Sequence, residues 1–219
     1  MIFAAGFGTR MAPLTDTLPK PLVGVAGQTL LQHALAPARA AGLHPIVVNA
    51  HYRAAQIKAA LAGEAVTVLE EVPELLDTGG GLKNALPHLG EGPIATMNSD
   101  AVWAGPNPFE ILRDAWRTGD EALLLCVPLS RAAGRTDEGD FSVTESGRLS
   151  RGDGFVYTGA QIILGSAVAT RAERRFSFNV LWDEMIAAGT IRAVIYPGHW
   201  CDVGRPSSIA LAEEMLGVS

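Results

Sequence analysis

Short apolar runs alternate along the first part of the chain with segments whose apolar positions follow a helical period. The runs at 45–49 and 66–70 predict buried strands, and the segments at 30–41 and 54–61 predict helices. Gly42 would end the first helix, whereas Pro37 inside it would kink or shorten it. Alternating strands and helices predict right-handed crossovers and a parallel sheet. The apolar face of the first helix consists of Leu30, Leu31, Ala34, Leu35 and Ala38.

The second part continues this alternation and then departs from it between residues 139 and 164. There, strands at 141–144 and 155–164 flank a turn, which indicates a small antiparallel excursion. We therefore predict an α/β, Rossmann-like fold with a mostly parallel central sheet, helices on both faces and this excursion, as one domain over 1–219. The remaining predicted elements are strands at 93–98, 122–128 and 191–196 and helices at 82–89, 109–117, 178–188 and 207–216. We expect the helix at 82–89 to be broken near Pro87 and Ser207 to be the N-cap of the last helix.

Composition narrows the class of protein. The 219 residues include 23 acidic and 17 basic ones, and a net charge of −6 argues against binding to nucleic acid. No apolar run reaches membrane length, and we see no secretory leader, so we expect a cytoplasmic protein without a membrane partner. The two cysteines, Cys126 and Cys201, form neither a disulfide framework nor a zinc spacing.

Candidate chemistry begins at the first strand, where an apolar start leads into a loop with glycines and cationic side chains. Glycines allow close backbone approach to an anion, Arg10 can hold a phosphate with several donors, and Lys20 lies between two prolines. The loop lacks the third glycine of the dinucleotide fingerprint and the Gly-Lys-Ser/Thr of a P-loop. We interpret it as a triphosphate site, with a plain surface turn as the alternative. The loop residues are Ala4, Ala5, Gly6, Gly8 and Thr9.

Two later stretches also carry candidate residues. The glycines at 79–81 lie between a predicted strand and a predicted helix, which suits either close approach to a ligand or a flexible connector. Asp100 follows the strand at 93–98 and lies at the same predicted sheet edge as the first loop, although an aspartate there is also a common turn former. A single Asp202 near the end of the chain is weak evidence by itself.

Together these motifs resemble the sugar-1-phosphate nucleotidyltransferases. The similarity covers residues 4–215 and is most specific over AAGFGTRMAPLTDTLPKPLVGVAGQTLL, residues 4–31. Asn98-Ser99-Asp100 matches the family's Asn-Gly-Asp with serine for glycine, and Trp200 to Pro206 matches its Trp-x-Asp-Val-Gly-Thr-Pro with Arg205 for threonine. The family's second lysine, in Glu-Lys-Pro, has no counterpart here, so we consider Arg148 and Arg151 as replacements beside an ordinary solvated role.

The resemblance implies a reaction in which a nucleoside triphosphate and a sugar 1-phosphate give a nucleotide-sugar and pyrophosphate. Arg10 and Lys20 would be catalytic, and Asp100 with Asp202 would bind Mg²⁺. Thr158 and Gly159 would face the sugar. The nucleotide would contact Ala4, Ala5, Gly6, Gly8, Thr9, Gly79, Gly80, Gly81 and Asn98.

The acidic residue, threonine and three glycines at 77–81 resemble the N-acetylmuramate 1-phosphate uridylyltransferase branch, which implies UTP as the nucleotide and cell-wall sugar recycling as the role. Mannose-1-phosphate guanylyl transfer is the nearest alternative. A glycosyltransferase and a non-catalytic nucleotide-binding module are alternatives from other classes. We expect a monomer or a small homo-oligomer.

Overall fold

The computed structural model describes residues 1–135 and 137–218. Its strands are β1 (Ile2–Phe3), β2 (Gly24–Val25), β3 (Gln28–Thr29), β4 (Val47–Ala50), β5 (Thr67–Glu70), β6 (Pro93–Asn98), β7 (Ala101–Ala104), β8 (Ala122–Pro128), β9 (Ala132–Ala133), β10 (Phe141–Val143), β11 (Leu149–Arg151), β12 (Phe155–Leu164), β13 (Ile191–Ile195) and β14 (His199–Asp202). Its helices are α1 (Leu30–Ala40), α2 (Ala54–Ala60), α3 (Asp77–Leu89), α4 (Pro108–Ala115), α5 (Gly165–Ala169), α6 (Phe178–Ala188) and α7 (Ser207–Met215).

A nine-stranded sheet forms the centre of the molecule. Its backbone order is β5-β4-β1-β6-β12-β8-β13, and the β10–β11 hairpin extends from the start of β12. Pairing directions show that β12 and β11 run against the other seven strands. The prediction of a mostly parallel sheet with an antiparallel excursion is therefore confirmed.

The first helix shows how the sequence pattern produces the packing. Thr29 caps α1 by accepting from the backbone N–H of Gln32, while the Gln32 side chain accepts from the Thr29 backbone N–H. The predicted apolar face is the buried one. All of it except Leu30 packs in the larger core cluster with residues of β1 and β4, and Leu30 packs in a smaller cluster. Pro37 lies inside the helix, which continues to Ala40, and Gly42 follows with φ of 67°.

Three details of the prediction were wrong. The helix predicted at 82–89 begins at Asp77, so the three glycines lie inside α3. Pro87 does not break this helix, which ends at Leu89. Ser207 is the first residue of α7 and not its N-cap, which is Pro206.

The sequence did not predict a small three-stranded sheet, which places Asp202 in the candidate site. Strand β14 pairs antiparallel with β7 and parallel with β9, on the strand-end side of β6. Short strands such as β7 and β14 have too few residues for a clear alternation, so their pairing follows from tertiary structure.

None of the helices in the described ranges is both long and apolar enough to cross a membrane.

Candidate active site

Two adjoining cavities open at the carboxyl ends of β1 and β6. We call the first the loop cavity, because the loop after β1 forms its wall; its volume is about 300 Å³. The second, the hairpin cavity, is bordered by the β10–β11 hairpin and has a volume of about 290 Å³. Four residues line both cavities and form their common border: Arg10, Thr78, Asn98 and Asp100.

A buried polar chain holds the start of the loop in place. The Ala4 N–H donates to Asn49 Oδ1 at 2.8 Å, and Asn49 Nδ2 donates to Glu71 Oε1 at 2.7 Å. The other Glu71 oxygen accepts from the Leu76 N–H at 2.8 Å, just before α3. Because each buried group has a partner, this series of hydrogen bonds ties the β1 loop rigidly to the N-terminus of α3.

Gly6 and Gly8 differ in the space around them. Gly8 has φ of 66°, and an added Cβ would lie 2.7 Å from the Lys20 Cβ, so the lysine packs directly against it. At Gly6, an added Cβ would meet no atom within 4 Å. The loop backbone after Ala5 therefore stays open towards the cavity while its far end is fixed against Lys20.

Lys20 lines the loop cavity and is paired with Asp100, which lies on the border between the cavities. Its ammonium donates to Asp100 Oδ2 at 2.9 Å, and its side chain is only 11% exposed. Burial acts to raise the pKa of Asp100, but the charge and hydrogen bond of Lys20, together with Arg10, outweigh it, so the net pKa is below the usual range. Asp100 is accordingly a carboxylate with a fixed cation beside it.

Pairing of β7 with β14 brings the second aspartate to the first. Asp202 lies opposite Ala101 in the register, and the Val203 N–H donates to the Asp100 carbonyl at 2.8 Å. Burial raises the pKa of Asp202 above its usual range, and the charge of Asp100 raises it further, against the lowering effect of nearby cations. The two predicted metal ligands are thus neighbours, although they lie 102 residues apart in sequence.

The aspartate pair fits a magnesium ion that is completed by phosphate oxygens. An added Cβ at Gly204 would lie 3.1 Å from Asp202 Oδ1 and 3.3 Å from Arg10 Nη2, so the glycine leaves space beside the carboxylate. Mg²⁺ in phosphate-transfer sites is commonly held by one or two carboxylates plus substrate oxygens and water. Across 1–135 and 137–218, no group of three or more His, Cys, Asp or Glu side chains could hold a metal ion alone.

Side chains from distant segments build the hairpin cavity. Arg135 donates to Asp140 Oδ1 at 3.0 Å, and Asp140 Oδ2 accepts from the Tyr157 N–H at 2.9 Å. The predicted sugar-side residues lie here: Thr158 donates to the Leu125 carbonyl at 2.6 Å. Gly159, with φ of 86°, sits where the register between β12 and β8 shifts. Further wall residues are Phe141, Arg151, Phe178, Asn179, Trp182, Trp200 and Asp202.

The glycines of α3 pack against protein and not against a cavity. An added Cβ would lie 2.3 Å from the Phe176 ring at Gly79, 2.4 Å from the Arg174 carbonyl at Gly80, and 2.9 Å from Glu71 Oε1 at Gly81. Among the described residues, this segment contributes Leu75, Asp77 and Thr78 to the loop cavity, with none of the three glycines. The structure shows close packing of α3 at these glycines, and their predicted contact with a nucleotide stays a prediction.

The structure brings the other predicted residues together. Those lining the loop cavity are Ala4, Ala5, Gly6, Gly8, Thr9, Arg10, Lys20, Asn98 and Asp100. Those lining the hairpin cavity include Arg10, Asn98, Asp100, Thr158, Gly159 and Asp202. Sequence reasoning missed Asn49, Thr78 and Arg135. For Asn49, a polar residue ending the apolar run PIVVN was the available signal.

Comparisons with known proteins give a consistent result. Residues 1–198 match the model of the MobA-like NTP transferase domain. The N-acetylmuramate alpha-1-phosphate uridylyltransferase of Caulobacter vibrioides is 36% identical, with 99% of this chain and 96% of the relative covered. The enzyme with the same name from Neisseria meningitidis is 30% identical, with 99% and 97% covered.

Further matches are another sequence relative and two solved structures with the same fold. A mannose-1-phosphate guanyltransferase of Hypocrea jecorina is 31% identical over 94% of this chain, which spans 60% of that relative. The crystal structure of HddC from Yersinia pseudotuberculosis complexed with GMP-PN has a TM-score of 0.77 at 19% identity, with 98% and 97% covered. A putative glucose-1-phosphate thymidylyltransferase from Bacillus anthracis has a TM-score of 0.82 at 15% identity, with 100% and 94% covered.

Proposed function

Because this chain belongs to the MobA-like NTP transferase domain family, we propose that it is a sugar-1-phosphate nucleotidyltransferase that joins UTP to N-acetylmuramate 1-phosphate. The observation that carries the proposal is the border between the cavities, where Arg10 and Asp100 lie and where Lys20 of the loop cavity is paired with Asp100. Two cavities of similar volume that meet at cationic and carboxylate groups suit two phosphate-bearing substrates that must react with each other.

The chemistry is a displacement at the α-phosphorus of the triphosphate. An oxygen of the sugar phosphate forms the new bond to this phosphorus, and the bond to the bridging oxygen of the leaving pyrophosphate breaks. In such transfers, catalysis is mainly positioning and stabilisation of negative charge. The open backbone at Gly6 and the Arg10 guanidinium would bind the β- and γ-phosphates, and Lys20 would stabilise charge at the α-phosphoryl group.

The proposed role of the aspartate pair is to let two negatively charged substrates approach each other. Asp100 and Asp202 would hold Mg²⁺, which supplies positive charge for oxygens of both substrates when bound. The Lys20–Asp100 ion pair keeps the ammonium at the border before substrate binds. Lys20 is therefore preorganised for the α-phosphoryl group, and little reorganisation is required during the reaction.

Preference for UTP is supported by the named relatives and by the loop-cavity wall before and at the start of α3. Leu75, Asp77 and Thr78 line this cavity, so their backbone and side-chain groups are the candidates to read the base edge. A polar site can reject a base that leaves its hydrogen-bonding groups unpaired. We further propose a cytoplasmic role in the recycling of cell-wall sugars, because N-acetylmuramate is the sugar in the names of those relatives.

Pyrophosphate release over a grid of substrates tests the proposal. The triphosphates are UTP, GTP, ATP and dTTP, and the acceptors are the 1-phosphates of N-acetylmuramate, mannose and glucose, with Mg²⁺ present. We expect the highest kcat/KM for UTP with N-acetylmuramate 1-phosphate. A value for GTP equal to or above that for UTP would contradict uridylyl transfer and, with mannose 1-phosphate, favour the guanylyl alternative. Binding without any pyrophosphate release would indicate a nucleotide-binding module or a glycosyltransferase.

A further inference from the structure

Two arginines lie on different parts of the hairpin-cavity wall. Arg135 also lines a small polar cavity of about 100 Å³ together with Arg10 and Asp202, so it lies on the side of the aspartate pair. Arg151 lines the hairpin cavity from β11 and does not line that smaller cavity. One cationic group therefore lies beside the aspartate pair, and the second lies on a part of the wall outside the smaller cavity.

Protein contacts hold the Arg151 guanidinium in a defined position. Its Nε donates to Asp183 Oδ1 at 2.7 Å, and Nη2 donates to Asn179 Oδ1 at 3.0 Å. Its central carbon lies 4.8 Å from the centre of the Phe141 ring. Nη2 also donates to the Asn179 carbonyl at 3.3 Å, and among the described residues Nη1 has no hydrogen-bond partner. A stacked, partly paired guanidinium with a remaining donor is preorganised to bind a planar anion.

Charge distinguishes the possible occupants of this end of the cavity. A sugar 1-phosphate whose sugar is uncharged has negative charge on its phosphate alone, and Arg10, Lys20 and Arg135 can neutralise that charge. Arg151, away from the aspartate pair, has a binding partner in the substrate only if the sugar itself carries a second anionic group. An ion pair of Arg151 with Asp183 at the surface contributes little to stability and does not explain why Arg151 lines the cavity.

We propose that Arg151 is a specificity-determining residue that binds the carboxylate of an acidic sugar 1-phosphate. This inference rests on the proposed function, because N-acetylmuramate differs from N-acetylglucosamine by a lactyl ether that ends in a carboxylate. Arg151 donates to that carboxylate, while the sugar phosphate lies towards Arg135 and Asp202. Arg148, on the same hairpin, is exposed and is not among the described residues that line the cavity, so it gives a matched control.

The test compares two acceptors with wild type, Arg151→Ala, Arg151→Lys and Arg148→Ala. A lost charge-assisted hydrogen bond of about 1.5–3 kcal/mol corresponds to roughly a 10- to 150-fold change. We expect Arg151→Ala to lower kcat/KM for N-acetylmuramate 1-phosphate by such a factor, chiefly through KM. The ratio of kcat/KM values for the acidic and the N-acetylglucosamine acceptors should fall with it. Arg151→Lys should recover part of the loss, and Arg148→Ala should match wild type.

Calorimetric titration of both sugar phosphates gives a readout that does not need turnover, and melting temperature checks folding of each variant. Equal losses with both acceptors, or no loss with the acidic one, would overturn the Arg151 proposal while the wild-type activity upholds the proposed function. If wild type neither binds nor uses N-acetylmuramate 1-phosphate but uses a neutral acceptor, the proposed substrate and the Arg151 proposal are both wrong. If Arg151→Ala does not fold, Arg151→Lys with its selectivity ratio decides the question.

Discussion

The loop cavity and the hairpin cavity share a border but are built from different groups. Around the loop cavity, the β1 loop offers backbone and small residues, and one buried polar chain through Asn49 and Glu71 fixes it. Around the hairpin cavity, large side chains from β10, β11, β12 and α6 form the wall, and ion pairs hold the arginines. Under the proposed function, the loop cavity would bind the groups that every triphosphate shares, and the hairpin cavity would distinguish one sugar from another.

The largest effect is expected at the aspartates that join the two regions. Asp100→Asn and Asp202→Asn should each lower kcat by roughly a hundredfold or more with every acceptor, because a carboxylate that positions charge against the reacting phosphates is lost. Steady-state pyrophosphate release measures this, and Asp114→Asn, at an exposed position on α4, is the control. Near-wild-type turnover of either variant at ordinary Mg²⁺ would remove that residue from the metal site.

Lys20→Ala should affect all sugars alike, in contrast to Arg151→Ala. A contact realised mainly in the transition state lowers kcat more than substrate affinity, so we expect kcat to fall by roughly 10- to 100-fold and triphosphate Kd to change by less than about tenfold. Single-turnover rates and equilibrium binding measure the two quantities separately. An unchanged kcat with only a raised KM would show that Lys20 is a binding residue.

Two glycine variants separate packing from ligand contact. At Gly80, an added methyl group would meet the Arg174 carbonyl at 2.4 Å. The gain in helix propensity of about 1 kcal/mol is then outweighed by overpacking, which commonly costs about 1–3 kcal/mol. We expect a lower melting temperature for Gly80→Ala. Gly6→Ala should keep the melting temperature and raise the KM for triphosphate, since the methyl group meets no protein atom within 4 Å. A destabilised Gly6→Ala would contradict this division.

The smallest effect is a difference in titration between the two aspartates. In metal-free protein, lowering the pH should protonate Asp202 before Asp100, because burial and the charge of Asp100 raise the pKa of Asp202, whereas Lys20 keeps that of Asp100 low. Carboxyl carbon NMR shifts measure the order. Asp100→Asn should lower the pKa of Asp202, since a neighbouring negative charge is removed. The opposite order of protonation would show that Lys20 does not control the site.

The β1-loop side of the loop cavity could be predicted from the sequence because its residues are close together in the chain. Arg10, Lys20 and the glycines of the β1 loop fall within 15 residues, and their types alone indicate anion binding. The Asp100–Asp202 pair was identified by resemblance, because its geometry depends on the pairing of β7 with β14, which short strands do not reveal.

Most of the hairpin cavity could not be predicted for the same reason. Arg135 and Arg151 look like ordinary surface arginines in sequence, and only the tertiary fold places them against Asp140, Phe141 and Asp183. The glycines of α3 were misplaced because low helix propensity suggested a loop. Close packing against Phe176 overrides that propensity in the folded chain.

Thr78 lies on the common border, and its hydroxyl accepts from the Phe178 N–H at the start of α6. Gly80 lies against the Arg174 carbonyl in the segment that precedes α6. A chimeric enzyme that receives residues 75–82 from a relative to change its nucleotide would therefore place foreign side chains against residues 174–178 of the host. Exchange of both segments together keeps these contacts matched, so base choice and sugar choice are expected to be inherited as one module.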